Sequence, residues 1–208
     1  MTSSGRFVVF EGIDGSGKST AVEEIQKRLA ARGVKTVCLR EPTEKTDASR
    51  EIRRILRTAR EIDARISREL LELFLIDRLW DIEKQIKPAL NSGAVVLLDR
   101  YYLSTAAYQA ASVAETQKIM ADYLGDERIL TPDAVIFLNL PVKTALERLA
   151  GRTALDVFES ETKLTRIAER YAAAIAAFRR DRPGAGVIEK TGSLTAADFD
   201  ALSEVIAA

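Results

Sequence analysis

Apolar residues come in short unbroken runs, separated by longer stretches in which they recur every three or four positions. The runs are Phe7–Phe10, Thr36–Leu39, Ala94–Leu98 and Ala134–Leu138, with a weaker one at Gly186–Ile188. An unbroken run, unlike an alternating one, suits a strand buried on both faces of a parallel sheet. Helical spacing fills the gaps. Val22, Ile25 and Leu29 share a face, and Gly33 follows as a C-terminal cap. Leu71, Leu75, Leu79, Ile82 and Ile86 form a long stripe before Pro88; Leu164, Ile167, Tyr171, Ile175 and Phe178 form another. Thr195 to Asp198 has the pattern of a capping box ahead of Phe199, Leu202 and Ile206. This alternation predicts a three-layer α/β fold, a parallel sheet of about five strands flanked by helices, with right-handed crossovers. The polar stretch Glu41–Arg65 reads as a charged, partly helical insertion. With no repeat or linker, residues 1–208 are expected to form a single domain.

The strand-to-helix junction at residues 12–19 carries the first chemistry. Gly12-Ile13-Asp14-Gly15-Ser16-Gly17-Lys18-Ser19 fits G-x-x-x-x-G-K-[ST] in full, after a predicted strand and before a predicted helix. Glycines let the backbone turn so that successive N–H groups face phosphate oxygens. The helix adds its unpaired N-terminal N–H groups and the positive end of its dipole. Lys18 can then reach the β- and γ-phosphates, and the Ser19 hydroxyl can ligate Mg²⁺. ATP contacts are expected from Gly12 through Thr20, that is Gly12, Ile13, Asp14, Gly15, Ser16, Gly17, Lys18, Ser19 and Thr20.

Charge and composition remove alternatives. Lys+Arg and Asp+Glu both total 31, so the chain has no global basic field for nucleic acid or an anionic membrane. Histidine is absent. That excludes a Ser-His-Asp triad, histidine-ligated zinc and a histidine general base. The one cysteine, Cys38, lies in an apolar run and is expected as a buried strand thiol. Its solitude suits a reducing cytosol, and Met1–Arg6 is too short and polar for a signal peptide or membrane span, so a cytoplasmic protein is expected. The guanine motif N-K-x-D and the dinucleotide pattern G-x-G-x-x-G are both absent. D-x-x-G occurs at Asp122–Gly125 and Asp181–Gly184, but after no strand.

A second site is expected at the end of the third run. In open α/β sheets the carboxyl ends of the strands face the ligand crevice. Asp99 there can hold Mg²⁺ through water, and Arg100 can clamp a phosphate. Phe74 and Arg78, four apart on a predicted helix, share a face that flanks the leucine stripe. A ring beside a guanidinium suits a base needing both stacking and a polar edge.

These segments, in this order, resemble the thymidylate kinases, a family of P-loop nucleoside monophosphate kinases. The resemblance rests on Phe10–Thr20, Arg40-Glu41-Pro42, Leu73-Phe74 with Asp77-Arg78, Ile86–Leu90, Asp99–Tyr102 with Ser104–Gln109, Pro132-Asp133, and Asp156 with Phe158-Glu159, spanning about residues 7–171. It implies transfer of a phosphoryl group from ATP, with Mg²⁺, to dTMP, and a homodimer. It implies that Arg78 and Arg100 clamp the dTMP phosphate, Phe74 stacks on thymine, Thr105 faces the base edge and Pro42 lies near the 5-methyl group. Tyr108 would crowd the 2′ position, Asp14 would meet the 3′-hydroxyl or a metal-bound water, and Gln109 would make a polar contact. Tyr171 is a weaker candidate, because its helical stripe already explains it. A mobile lid is implied over residues 148–162. The P-loop interior has no basic residue before Lys18, so Arg148 and Arg152 are the candidates for catalytic charge beside Lys18 and Arg100, with Arg166 a further one. Many relatives carry arginine after the aspartate matching Asp156, where this chain has Val157. The alternatives are another P-loop nucleotide or nucleoside kinase, or a nucleotide-binding module without turnover.

Overall fold

A computed structural model describes residues 5–59, 61–150 and 160–207. Strands β1 (Arg6–Glu11), β2 (Thr36–Arg40), β3 (Val95–Asp99), β4 (Ala134–Asn139) and β5 (Gly186–Thr191) form one parallel sheet in the order β2-β3-β1-β4-β5. The helices are α1 (Lys18–Ala31), α2 (Asp47–Thr58), α3 (Ala64–Asp81), α4 (Lys87–Asn91), α5 (Tyr102–Gln109), α6 (Val113–Gly125), α7 (Val142–Leu149), α8 (Glu161–Asp181) and α9 (Ala196–Ala207).

The pleat divides each central strand between two cores. Val8, Phe10, Leu97 and Ile136 pack against Ile25 and Leu29 of α1 and Leu202 and Ile206 of α9. Phe7, Val9, Leu98 and Phe137 face the other way, toward α5, α6 and α8. The apolar runs of β1, β3 and β4 are therefore buried on both faces, as unbroken runs require. The edge strands β2 and β5 are only partly covered. Cys38 is correspondingly exposed, which corrects its expected burial: an apolar run does not reveal that its strand lies at an edge.

Local signals end the helices where expected. Gly33 takes φ 71°, and Val34 N–H reaches Leu29 O at 3.0 Å, closing α1. Thr195 and Asp198 exchange backbone-to-side-chain bonds in a capping box at the start of α9.

Helix α3 departs from its leucine stripe. Its buried face is Leu70, Asp77, Arg78 and Asp81, whereas Leu71, Leu75 and Leu79 are half-buried. A π-helical turn over Ile82–Ile86 follows, in which the Lys87 N–H reaches back to Ile82 O. The wider turn shifts the phase, so Ile82 and Ile86 are fully buried in the core, whereas Leu71, Leu75 and Leu79 pack against its margin. The stretch read as an insertion is also structural. It builds α2, whose Ile52 and Ile55 pack on Leu70 of α3.

Candidate active site

The carboxyl ends of β1, β2 and β3 bring Glu11, Arg40 and Asp99 to one edge of the sheet, with the phosphate loop between β1 and α1 beside them. Two of its glycines are dictated by space. A Cβ on Gly12 would stand 2.6 Å from Leu138 O, and one on Gly15, at φ 78°, 2.7 Å from Ala145 O. Lys18 Nζ donates to Ile13 O at 2.8 Å and Gly12 O at 2.9 Å. Burial, reinforced by the charge of Arg100, pushes its ammonium down to about 7, while Asp14, Asp99 and Glu11 oppose the shift. Ser19 Oγ donates to Asp99 Oδ2 at 2.8 Å. Asp99 Oδ1 is buried without a partner among the described residues. A hydroxyl and a carboxylate with one unmatched oxygen fit Mg²⁺, which takes hard oxygen ligands and keeps several waters.

Arg148, near the end of α7, donates to Gly15 O at 3.1 Å and Ser193 Oγ at 2.6 Å. Together with the phosphate loop, Ser193, Leu194 and Phe199 it lines a donor-side cavity of about 360 Å³. Arg152 lies outside the described residues. Arg166 lines a separate groove with Glu61 and Asp63, away from the phosphate loop.

A second cavity, of about 450 Å³, is lined by every residue expected on the acceptor side: Asp14, Pro42, Phe74, Arg78, Arg100, Thr105, Tyr108 and Gln109. Helix α3 supplies Phe74 and Arg78, and α5 supplies Thr105, Tyr108 and Gln109. Arg78 is 1% exposed. Its Nε donates to Glu41 Oε2 at 3.0 Å and its Nη2 to Thr105 Oγ1 at 3.0 Å. The guanidinium lies near the rings of Tyr101 and Tyr123, at 4.9 and 5.0 Å. Burial works against its charge, but Glu41 together with Tyr123 and Tyr101 more than offsets it and holds the guanidinium protonated. Arg78 Nη1 and Gln109 Oε1 are buried without partners among the described residues, on two residues that line the same cavity. Such groups are costly unless something binds them.

Arg100 follows β3 with φ 73°, a left-handed conformation rare for a side-chain-bearing residue. It pairs with Asp14 and lies over the Tyr108 ring at 5.0 Å. Tyr108 Oη donates to the other Asp14 oxygen at 2.7 Å. Behind Arg100 is a polar chain that ends on buried Glu11. Arg100 Nη1 donates to Tyr171 Oη at 3.3 Å and Ser104 Oγ at 3.2 Å, and Ser104 Oγ donates to Glu11 Oε2 at 2.5 Å. Burial pushes the Glu11 carboxyl up, against the opposing pull of Ser104 and Arg100.

Several contributors escaped the sequence reading. Arg53 and Arg57 of α2 line the acceptor-side cavity. Arg53 Nη2 also donates to Pro42 O at 2.8 Å. Asp77 accepts from Thr43 N at 2.7 Å and Thr46 Oγ1 at 2.6 Å, fixing the same loop. The available signal was Ile52 and Ile55 on one face of α2, with Arg53 and Arg57 spaced one turn apart.

A parallel sheet with a phosphate loop, a metal-suited hydroxyl–carboxylate pair and an adjoining base-sized cavity defines the P-loop nucleotide kinase class. The family model for thymidylate kinase matches residues 10–181. The chain is 43% identical over 161 residues to a thymidylate kinase of Akkermansia muciniphila, covering 77% of this chain and 74% of that one. It is 39% identical over 166 residues to a thymidylate kinase of Leptospira interrogans, covering 79% of each. It is 41% identical over 173 residues to a probable thymidylate kinase of Thermococcus gammatolerans, covering 80% of this chain and 81% of that one. The chain belongs to the thymidylate kinase family. No helix among the described residues is long and apolar enough to cross a membrane.

Proposed function

We propose that the protein transfers the γ-phosphoryl group of ATP to dTMP, giving dTDP and ADP, as a step in dTTP biosynthesis. One observation carries this reading. The donor-side and acceptor-side cavities share Asp14, Arg40 and Arg100, so a triphosphate and a monophosphate would meet there end to end. An acceptor phosphate oxygen is already anionic, and catalysis reduces to positioning and charge stabilisation.

On the donor side, the loop from Gly12 to Thr20 holds the ATP phosphates and Lys18 neutralises the β- and γ-oxygens. Ser19 and Asp99 would hold Mg²⁺, which would supply further positive charge beside the ATP phosphates. Arg148 and Arg152 are the lid-side arginines.

On the acceptor side, Phe74 stacks on the base, Pro42 abuts the 5-methyl group, and Tyr108 and Asp14 face the sugar. The thymine edge offers a carbonyl acceptor beside an N–H donor. Arg78 Nη1 and Gln109 Oε1, both unmatched among the described residues, suit that pair. Cytosine presents the reverse pattern. Arg78 is therefore assigned to the base edge instead of the phosphate: Glu41 already balances its charge, and Thr105 fixes its orientation. The phosphate clamp falls to Arg100, with Arg53 at the rim.

A second copy of the chain would cover α3, where Ile76 is 57% exposed beside half-buried Leu75 and Leu79. A cytoplasmic setting matches the ATP and deoxynucleotide substrates. The test is ADP and dTDP formation from ATP and dTMP. Wild type should form both, and Lys18→Ala should lose about 100-fold or more in turnover while staying folded. Equal turnover in the variant would remove the phosphate loop from the chemistry.

A further inference from the structure

Arg40 ends the edge strand β2. The parallel register sets it opposite Asp99, and the Glu41 N–H bonds Asp99 O at 3.1 Å, fixing its backbone beside the metal-suited carboxylate. Its side chain is 65% exposed and lies 3.8 Å from Asp99 Oδ2, beyond hydrogen-bond distance. It lines both cavities.

We propose that Arg40 is a further catalytic residue, whose guanidinium meets the phosphoryl group as it passes between the two cavities. This rests on the kinase reading above. The reason lies in how the neighbouring cations are engaged. Among the described residues lining the donor side, Lys18 is bonded to the carbonyls of its own loop, Arg100 is paired with Asp14, and Arg148 is bonded to Gly15 O and Ser193. Among the described residues Arg40 has only the long contact to Asp99, so it can turn onto an incoming phosphate without breaking a hydrogen bond to any of them.

The loop makes that charge necessary. Residues 13–16 carry no basic side chain, and they place an acidic one, Asp14, at the border. In the transfer the bond from the γ-phosphorus to its bridging oxygen breaks, and the electron pair stays on the β-phosphate of ADP. A bond from the dTMP phosphate oxygen to the same phosphorus forms, and no proton moves. Negative charge is spread over the three non-bridging oxygens throughout. A planar guanidinium at the border can bond two of them at once.

The test compares wild type with Arg40→Ala and Arg40→Lys in the full chain. It measures kcat, both KM values, and the Kd values of ATP, of dTMP and of adenosine joined to thymidine through five phosphates. The expected result for Arg40→Ala is an unchanged melting temperature and kcat lower by about 100-fold. The linked analogue should bind at least about tenfold more weakly, while ATP and dTMP alone change less than about threefold, because only the linked analogue fills the border. Arg40→Lys should recover part of the loss. Turnover of Arg40→Ala within twofold of wild type overturns the proposal and leaves the kinase reading standing. So does equal weakening of all three ligands. A wild-type protein that forms no dTDP overturns the kinase reading, and this proposal with it.

Discussion

Tyr171 Oη stands 2.6 Å from Ser104 Oγ, joining the middle of α8 to the first turn of α5. The same hydroxyl donates to Glu11 Oε2 at 3.1 Å and accepts from Arg100 at 3.3 Å. Helix α8, which follows the expected lid, is thereby tied to the strand end before the phosphate loop and to the arginine at the border of the two cavities.

Removing that hydroxyl should loosen Arg100 without opening a void. Tyr171→Phe leaves Glu11 with one donor fewer in a buried place. The expected cost is about 1–2 kcal/mol of stability by urea unfolding. If Tyr171 also positions Arg100, KM for dTMP should rise several-fold while KM for ATP stays within twofold. Equal changes in both would make the residue structural only.

The Glu41–Arg78 pair gives a stability prediction. Breaking one side of a buried ion pair leaves an uncompensated charge, so Glu41→Gln should destabilise the protein by about 3–5 kcal/mol. The double variant Glu41→Gln with Arg78→Met should be more stable than Glu41→Gln alone. Denaturant midpoints across the set check this, and a double variant weaker than the single one would contradict it.

Asp81 should make stability pH-dependent. It is buried, its Oδ2 lacks a partner among the described residues, and Asp77, Arg78 and Gln85 surround it on the same helical segment. Burial pushes its carboxyl up to about 6. The folded protein therefore binds the proton more tightly than the unfolded chain, and this group costs stability as pH rises from about 4 to about 6. Asp81→Asn should stabilise the protein at pH 7.5 by about 1–2 kcal/mol and have little effect at pH 4. Thermal unfolding at both values tests it; a larger gain at the lower pH would reverse the sign.

The central strands, the phosphate loop and the caps of α1 and α9 were legible in the sequence, because each is written in a few adjacent residues. What was not legible depended on distant partners. The apolar run holding Cys38 does not reveal that β2 has a neighbour on one side only. The leucine stripe of α3 suggested that Arg78 flanks the core. Its burial depends on Glu41, 37 positions earlier, and on the rings of Tyr101 and Tyr123, which lie farther along the chain. Glu41–Arg65 looked like an insertion because its apolar face is narrow. Only packing against α3 turns it into a cavity wall carrying Arg53 and Arg57.

The base-edge assignment predicts how acceptors rank. A site whose buried groups are left unmatched by the wrong base rejects it strongly, whereas loss of a single methyl group is worth only about 1–3 kcal/mol. dUMP should therefore be a weaker but real acceptor, and dCMP a very poor one. Gln109→Ala should narrow the gap between dTMP and dCMP, read as the ratio of their kcat/KM values; an unchanged ratio would remove Gln109 from base recognition.

The most direct measurement is kcat/KM for ADP release from ATP and Mg²⁺ with dTMP, dUMP, dCMP, dGMP, AMP and UMP supplied in turn. Phosphorylation of dTMP to dTDP should exceed every other acceptor, with dUMP next. Faster release with any other acceptor, or tight dTMP binding with no dTDP formed, would contradict a dTMP-phosphorylating site at the meeting point of the two cavities.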